Sequence, residues 1–248
     1  MSDVAETSST HVAYSGLCAI ALALVHLFAS KLRFISITPR SRWLSGASGV
    51  SVAYVFVHLI PELGEMQESF TGPEFGLLEK HVYIMALIGM TAFYGLERLV
   101  AISKLEQADQ TEEFDVGIYW LHVVSFAIYN ALIGYSLFHR EESTLAGLFL
   151  YTLVIGLHFV VNDFGLSQDY PKAYRHNGRW LVATAVIVGS VVGWGSEISE
   201  AGISLLFSFL AGSIILNVLK EELPEERKSK FSAFALGAFV YTGLLLLV

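Results

Sequence analysis

Eight predominantly apolar stretches follow one another along the chain, at about 13–30, 44–64, 80–100, 117–138, 144–165, 180–196, 201–220 and 231–248. Each is close to the ~20 residues that a helix needs to cross the hydrocarbon core of a bilayer. Within 248 residues they leave almost nothing for a soluble domain. A spanning segment finds no water for its backbone N–H and C=O groups, so it must satisfy them internally, as a helix does. The alternating ten-residue segments of a β-barrel are absent. The expected fold is therefore an all-α integral membrane protein, a single eight-helix transmembrane bundle over 1–248. Composition agrees. Only 15% of the residues are charged, against roughly 25% in an ordinary soluble domain. The one cysteine, Cys18, excludes an internal disulfide framework and any cysteine-based zinc finger. A net charge of −8 argues against nucleic acid as a partner.

Basic residues set the direction of the segments. Lys31, Arg33, Arg40 and Arg42 lie between segments one and two; Arg98 and Lys104 lie between three and four. Lys172, Arg175 and Arg179 lie between five and six, and Lys220, Arg227, Lys228 and Lys230 between seven and eight. Only Lys80 and Arg140 fall on the other side. Cytoplasmic loops carry the Lys and Arg excess, so both termini are expected outside the cytoplasm. The ten residues at the start hold Asp3 and Glu6 and no basic residue. A signal peptide begins with a basic region, so the first apolar stretch is expected to be a retained span. The outer side is acidic, with Glu65, Glu68, Glu74, Glu79, Glu141, Glu142, Glu197 and Glu200. Such a rim is either a solvated border or a mouth that concentrates cations.

Polar residues inside the spans are costly and point to function or to helix packing. Segment two carries Ser51, Tyr54, His58 and Glu62 at helical spacing, with Pro61 loosening the helix beside Glu62. An imidazole and a carboxylate one turn apart can share a divalent cation, or simply pair with each other. Segment four carries His122, Ser125, Tyr129 and Asn130. Taken alone, Ser125 reads as a packing residue. Segment five holds the densest cluster, His158, Asn162 and Asp163. An Asp at this depth stays neutral unless it is paired or bound to a cation. Matching depths bring His158 opposite Tyr129 and Asn130, and Asp163 opposite His122. Segment seven, with Ser204, Ser208, Ala211 and Gly212, reads as a packing seam.

Several phrases, in order, resemble the ZIP family of divalent-metal transporters. They are Val57-His58-Leu59-Ile60-Pro61-Glu62 in segment two, Phe93-Tyr94-Gly95-Leu96-Glu97-Arg98 at the end of three, and His158-Phe159-Val160-Val161-Asn162-Asp163 in five. Phe209-Leu210-Ala211-Gly212, followed by Glu222-Leu223-Pro224-Glu225, completes the set. The resemblance covers nearly the whole chain, and it implies the same eight spans, the same outside termini and transport of a divalent cation. The sequence departs from the family where metal is held. The family's fourth segment offers a His followed four residues later by an acid. Here the stretch reads Ser125-Phe126-Ala127-Ile128-Tyr129-Asn130. In segment five, Phe159 and Asn162 stand where the family has a Glu and a His or Glu.

Two readings follow, from different classes. The first is a ZIP-like carrier in a plasma or inner membrane, moving zinc, iron or manganese toward the cytoplasm. The metal ligands would be drawn from His58, Glu62, His122, Asn130, His158, Asn162 and Asp163. Ser51, Tyr54, Ser125 and Tyr129 would line the pathway. Mixed nitrogen and oxygen donors suit zinc, iron or manganese and do not choose among them; zinc is the first expectation that the resemblance implies. The metal is cargo, with no prosthetic group, and a homodimer is admitted. Ligands must be deprotonated to bind, so uptake should fall in acid. The second reading is a ZIP-fold receptor, regulator or scaffold whose site has degenerated. An integral-membrane hydrolase fits poorly, because the deep trio His122, His158 and Asp163 has no nearby Glu to act as general base. No enzyme activity is expected.

Overall fold

The computed structural model describes residues 2–29, 42–68, 81–108, 116–139, 144–196, 198–222 and 230–247. Among these, the regular elements are helices, with no strand. We number them α1 (Ser2–Phe28), α2 (42–68), α3 (His81–Ala108), α4 (Val116–Ser136), α5 (Leu145–Asp169), α6 (Pro171–Gly195), α7 (200–222) and α8 (Phe231–Leu245). Seven of these are long and apolar enough to cross a membrane; α8, at 15 residues, is apolar but shorter. The chain is a multi-pass membrane protein. Its outer surface fits that medium: Leu17, Ile20 and Leu24 on α1 and Phe231, Leu236 and Phe239 on α8 all point outward, as side chains facing lipid do.

The helix bounds differ from the sequence reading at several places: α3 runs on to Ala108, so Arg98 and Lys104 lie within it and not in a loop, and Arg42 opens α2. Lys172, Arg175 and Arg179 do not lie in a loop. They belong to the first turns of α6, which begins at Pro171, directly after Tyr170. Proline is favoured there, because an N–H at the first helical position has no partner to lose. The α1 helix also starts well before residue 13, at Ser2. Of the acidic rim, Glu74, Glu79, Glu141, Glu142 and Glu197 lie outside the described residues, as do Lys31, Arg33, Arg40, Lys80, Arg140, Arg227 and Lys228.

Packing sorts the helices into two groups. The closest pairs are α4 with α6, α2 with α8, and α3 with α7. In turn α1 lies against α6 and α5, so α1, α4, α5 and α6 form one group. The C-terminal turn of α7 contacts α2, and α3 contacts the end of α2, which joins α2, α3, α7 and α8 into the other. The two groups meet chiefly where α2 packs on α5. Each close pair is a seam of glycines on both partners. A methyl group placed on Gly189 would sit 1.8 Å from the Ala131 carbonyl oxygen, and one on Gly134 2.1 Å from that of Val186. Gly49 meets Phe234, Gly237 meets Gly46, Gly89 meets Phe209 and Gly212 meets Ala86 in the same manner. Apolar burial contributes little to helix association in lipid, so close backbone approach of this kind is what joins the pairs.

Among the described residues, three helices contain one wide, π-helical turn: Val55–Leu59 in α2, Tyr174–Gly178 in α6 and Val218–Glu222 in α7. In the first, the Ile60 N–H reaches back five residues to the Val55 carbonyl. Pro61 follows immediately, and a proline cannot donate to the ordinary α-helical ladder. Such turns gather at functional sites. Here they carry His58, Tyr174 and Lys220.

Candidate functional site

Two consecutive residues of α4, Tyr129 and Asn130, face two consecutive residues of α5, Asn162 and Asp163. Consecutive helical positions point about 100° apart. Each pair therefore looks in two directions, and a histidine occupies each direction.

The first is His158 of α5. Its Nε2 lies 3.1 Å from the Tyr129 hydroxyl oxygen and 2.9 Å from the Asn162 side-chain amide. All three side chains are buried. Asn162 precedes the next turn by the one-turn spacing that brings i and i+4 together. The expected meeting of His158 with Tyr129 is present. The expected meeting with Asn130 is not, because Asn130 is turned to the second histidine.

That second histidine is His26 of α1. Its Nδ1 lies 2.9 and 3.0 Å from the two carboxylate oxygens of Asp163. Its Nε2 lies 3.2 Å from Asn130 Oδ1. Tyr174, in the wide turn of α6, donates its hydroxyl to Asp163 Oδ1. Asn130 donates its own amide to the Phe126 carbonyl at 2.7 Å, which turns Oδ1 toward the imidazole. The Phe159 ring covers His26 with centroids 4.2 Å apart. Asp163 therefore does not face His122, as the depths suggested. It is fully engaged by α1 and α6, and a carboxylate buried this deep needs such partners.

His122 of α4 finds its partner on the other helix group. Its Nε2 lies 3.3 Å from Glu97 Oε1 of α3. Glu97 Oε2 accepts from the Lys220 ammonium in the wide turn of α7. The carboxylate thus ties α3 to α4 on one side and to α7 on the other. His122 Nδ1 and Asn217 Nδ2 are buried and find no hydrogen-bond partner among the described residues. Between this triad and His158 stand the rings of Phe93 and Phe126, with Phe93 5.3 Å from Tyr129 and His122 5.2 Å from Phe126.

His58 and Glu62 of α2 pair with each other, Nε2 to Oε2, at 3.6 Å, and both are half-buried. The His58 ring lies 5.3 Å from that of Tyr54. It opens on a recess of about 150 Å³ lined by Leu150 and Tyr151 of α5 and by Tyr241 and Leu245 of α8. Ser51 is buried and donates to the Ala47 carbonyl at 3.3 Å. Ser125 donates to Leu121 of its own helix at 2.8 Å and joins none of these groups.

The residues singled out from the sequence thus fall into four places: His158 with Tyr129 and Asn162; Asn130 and Asp163 on His26; His122 on Glu97; and the α2 pair His58 and Glu62. Among the described residues, no three His, Cys, Asp or Glu side chains converge as a metal-holding group. Sequence reasoning missed His26, Glu97, Tyr174 and Lys220. His26 and Glu97 carried a usable signal, each being an ionisable residue within an apolar stretch. No family model matches the chain, and no curated protein matches it.

Proposed function

We propose that the protein is a carrier of a divalent cation across the bilayer, an eight-span bundle with both termini outside the cytoplasm, moving its cargo inward. It is read as a divergent ZIP-like transporter and not as an enzyme, with zinc, iron or manganese as cargo. The observation that carries this reading is the convergence of the Tyr129 oxygen, at 3.1 Å, and the Asn162 amide, at 2.9 Å, on His158 Nε2, buried where α4 and α5 face each other. One imidazole lone pair serves one donor well, and here two groups address it. A cation at that point would take the lone pair, the phenol oxygen and the amide oxygen once the amide turns over. These donors are neutral, so the hold is weak and suits a passing ion better than a resident one. His58 and Glu62 stand toward one end of the bundle, and His122 with Glu97 toward the loop between α3 and α4. Alternating access would come from one helix group moving against the other.

The test is uptake of zinc, manganese and iron(II) into proteoliposomes, with the wild type and with His158→Ala. Inward flux that disappears in the variant supports the carrier. Flux that survives in it removes His158 from the route, and a wild type with no flux for any of the three ends the reading.

A second reading, a non-transporting receptor or scaffold of similar fold, is favoured by one specific observation. Asp163, the one carboxylate beside His158 on α5, is taken up by His26 and Tyr174. Calorimetry of the purified protein with zinc and cobalt separates the two: no binding heat selects the second.

A further inference from the structure

We infer that His26 is a positioning residue, whose imidazole bridges α4 and α5 and thereby holds Tyr129 on His158. The inference deepens the proposed carrier and rests on His158 being its working side chain.

The argument starts from what α4 and α5 lack. They are not among the closely packed helix pairs of the bundle. Instead α4 is seamed to α6, while α5 lies against α1 and α2. Backbone packing therefore does not fix the rotation of α4 relative to α5 at this level, although the Tyr129 and His158 side chains must meet across the gap at 3.1 Å. The α1 helix supplies what is missing. One end of the His26 ring holds Asn130 of α4, and the other holds Asp163 of α5. Each of these is the immediate neighbour of a residue that contacts His158. Turning α4 to break the Asn130 contact swings Tyr129 with it, and turning α5 to break the Asp163 contact swings His158, so either turn parts Tyr129 from His158; Asn162, one turn from His158 on the same helix, moves with it. A flat ring with donors or acceptors at two opposed positions is suited to this. The ring is itself clamped by Phe159, the neighbour of His158. A second tie between the helices, the Ser136 and Tyr151 hydroxyls at 2.9 Å, lies about two turns away along α4 and does not address these side chains.

Two substitutions separate the arms. Asparagine places an amide near the position of imidazole Nδ1, and glutamine near Nε2. His26→Asn keeps the Asp163 arm and loses the Asn130 arm; His26→Gln does the reverse. The readout is the imidazole nitrogen resonance of His158 in the full chain, ¹⁵N-histidine labelled in nanodiscs and assigned by its loss in His158→Gln. In the wild type, both Tyr129→Phe and Asn162→Ala shift it. In the His26→Asn and His26→Gln backgrounds alike Tyr129→Phe no longer shifts it, because losing either arm frees α4 from α5, while Asn162→Ala, within α5, still does. Tyr151→Phe, which cuts the distant tie, leaves the resonance where it was. If either His26 variant does not fold, Asn130→Ala gives the same loss of the α4 arm with His26 intact, and must abolish the Tyr129→Phe effect. A His158 resonance unmoved by the His26 variants, or one that still responds to Tyr129→Phe in them, overturns the inference. Cobalt titration runs beside it, with a tenfold weaker affinity expected in both His26 variants. If cobalt does not bind even the wild type, the carrier reading fails while the resonance still decides the role of His26.

Discussion

Replacing Gly189 by alanine should loosen the seam between α4 and α6. The added methyl carbon would lie 1.8 Å from the Ala131 carbonyl oxygen and 2.6 Å from its carbon. Real contacts of this type do not fall below 3.0 Å, so the two backbones must part by at least about 1.2 Å. No flexible side chain is available to yield, because the obstructing atoms are backbone. Overpacking of a fitted interface costs roughly 1–3 kcal/mol, and this case belongs at the upper end. The separation also strains two hydrogen bonds across the seam: Ser190 Oγ to the Gly134 carbonyl at 3.2 Å and His139 Nε2 to the Gly193 carbonyl at 2.9 Å. Each contributes about 1 kcal/mol. Against this, alanine is favoured over glycine in a helix by about 1 kcal/mol. The net loss is about 2–4 kcal/mol, which corresponds to a fall in Tm on the order of 5–10 °C for a chain of this size. The assay is thermal unfolding in detergent followed by near-ultraviolet circular dichroism. Gly95→Ala is the comparison, since no atom lies within 4 Å of its added carbon; it should stabilise by about 0.5–1 kcal/mol. A Gly189→Ala protein that melts with the wild type, or a Gly95→Ala protein that falls equally, would refute the interlocking of the helices.

Three further outcomes are expected. Asp163→Ala leaves His26 and Tyr174 without their shared acceptor and should cost about 3–5 kcal/mol, whereas Tyr174→Phe should cost about 1–2 kcal/mol; denaturant titration in micelles measures the order. Glu97→Ala removes the group that joins α3, α4 and α7 and should destabilise more than Lys220→Ala, because the lysine is 43% exposed and its ammonium reaches water without the pair; equal losses would contradict the bridging role. Thr144 and Ser199 accept hydrogen bonds from the N–H groups of Gly147 and Gly202 at 3.1 and 3.2 Å, so alanine at either should cost about 1 kcal/mol, read as faster amide exchange in the first turn of α5 or α7.

The helical membrane architecture was legible because the apolar stretches are long, nearly free of charge, and separated by basic or acidic turns. The start of α6 was not, because Tyr170-Pro171-Lys172 reads as a turn with a basic loop, while the chain spends only Tyr170 on the corner. At the site, periodicity placed His158 against Tyr129 but sent Asp163 to His122. Spacing along one helix says which residues share a face; it does not say which neighbouring helix that face meets. The partner of Asp163 is supplied by α1, more than 130 residues away in the chain, and no pattern within α5 encodes it. His26 could have been suspected as an ionisable residue in an apolar run. Lys220 could not, since a lysine at the end of a span ordinarily turns to the headgroups.

Winding a helix one residue too wide re-aims everything beyond it by about 100°. The turns at Val55–Leu59, Tyr174–Gly178 and Val218–Glu222 are three such offsets. Deleting one residue from the α6 turn while ordinary winding is restored there would cancel the offset, and Gly189 would still meet Ala131 about three turns later. Drawing the turn tight with every residue kept would instead swing Gly189 away and bring bulkier neighbours to the seam. In this chain the wide turn is therefore a register device, and the faces along which helices join are phased by a single surplus residue near one end.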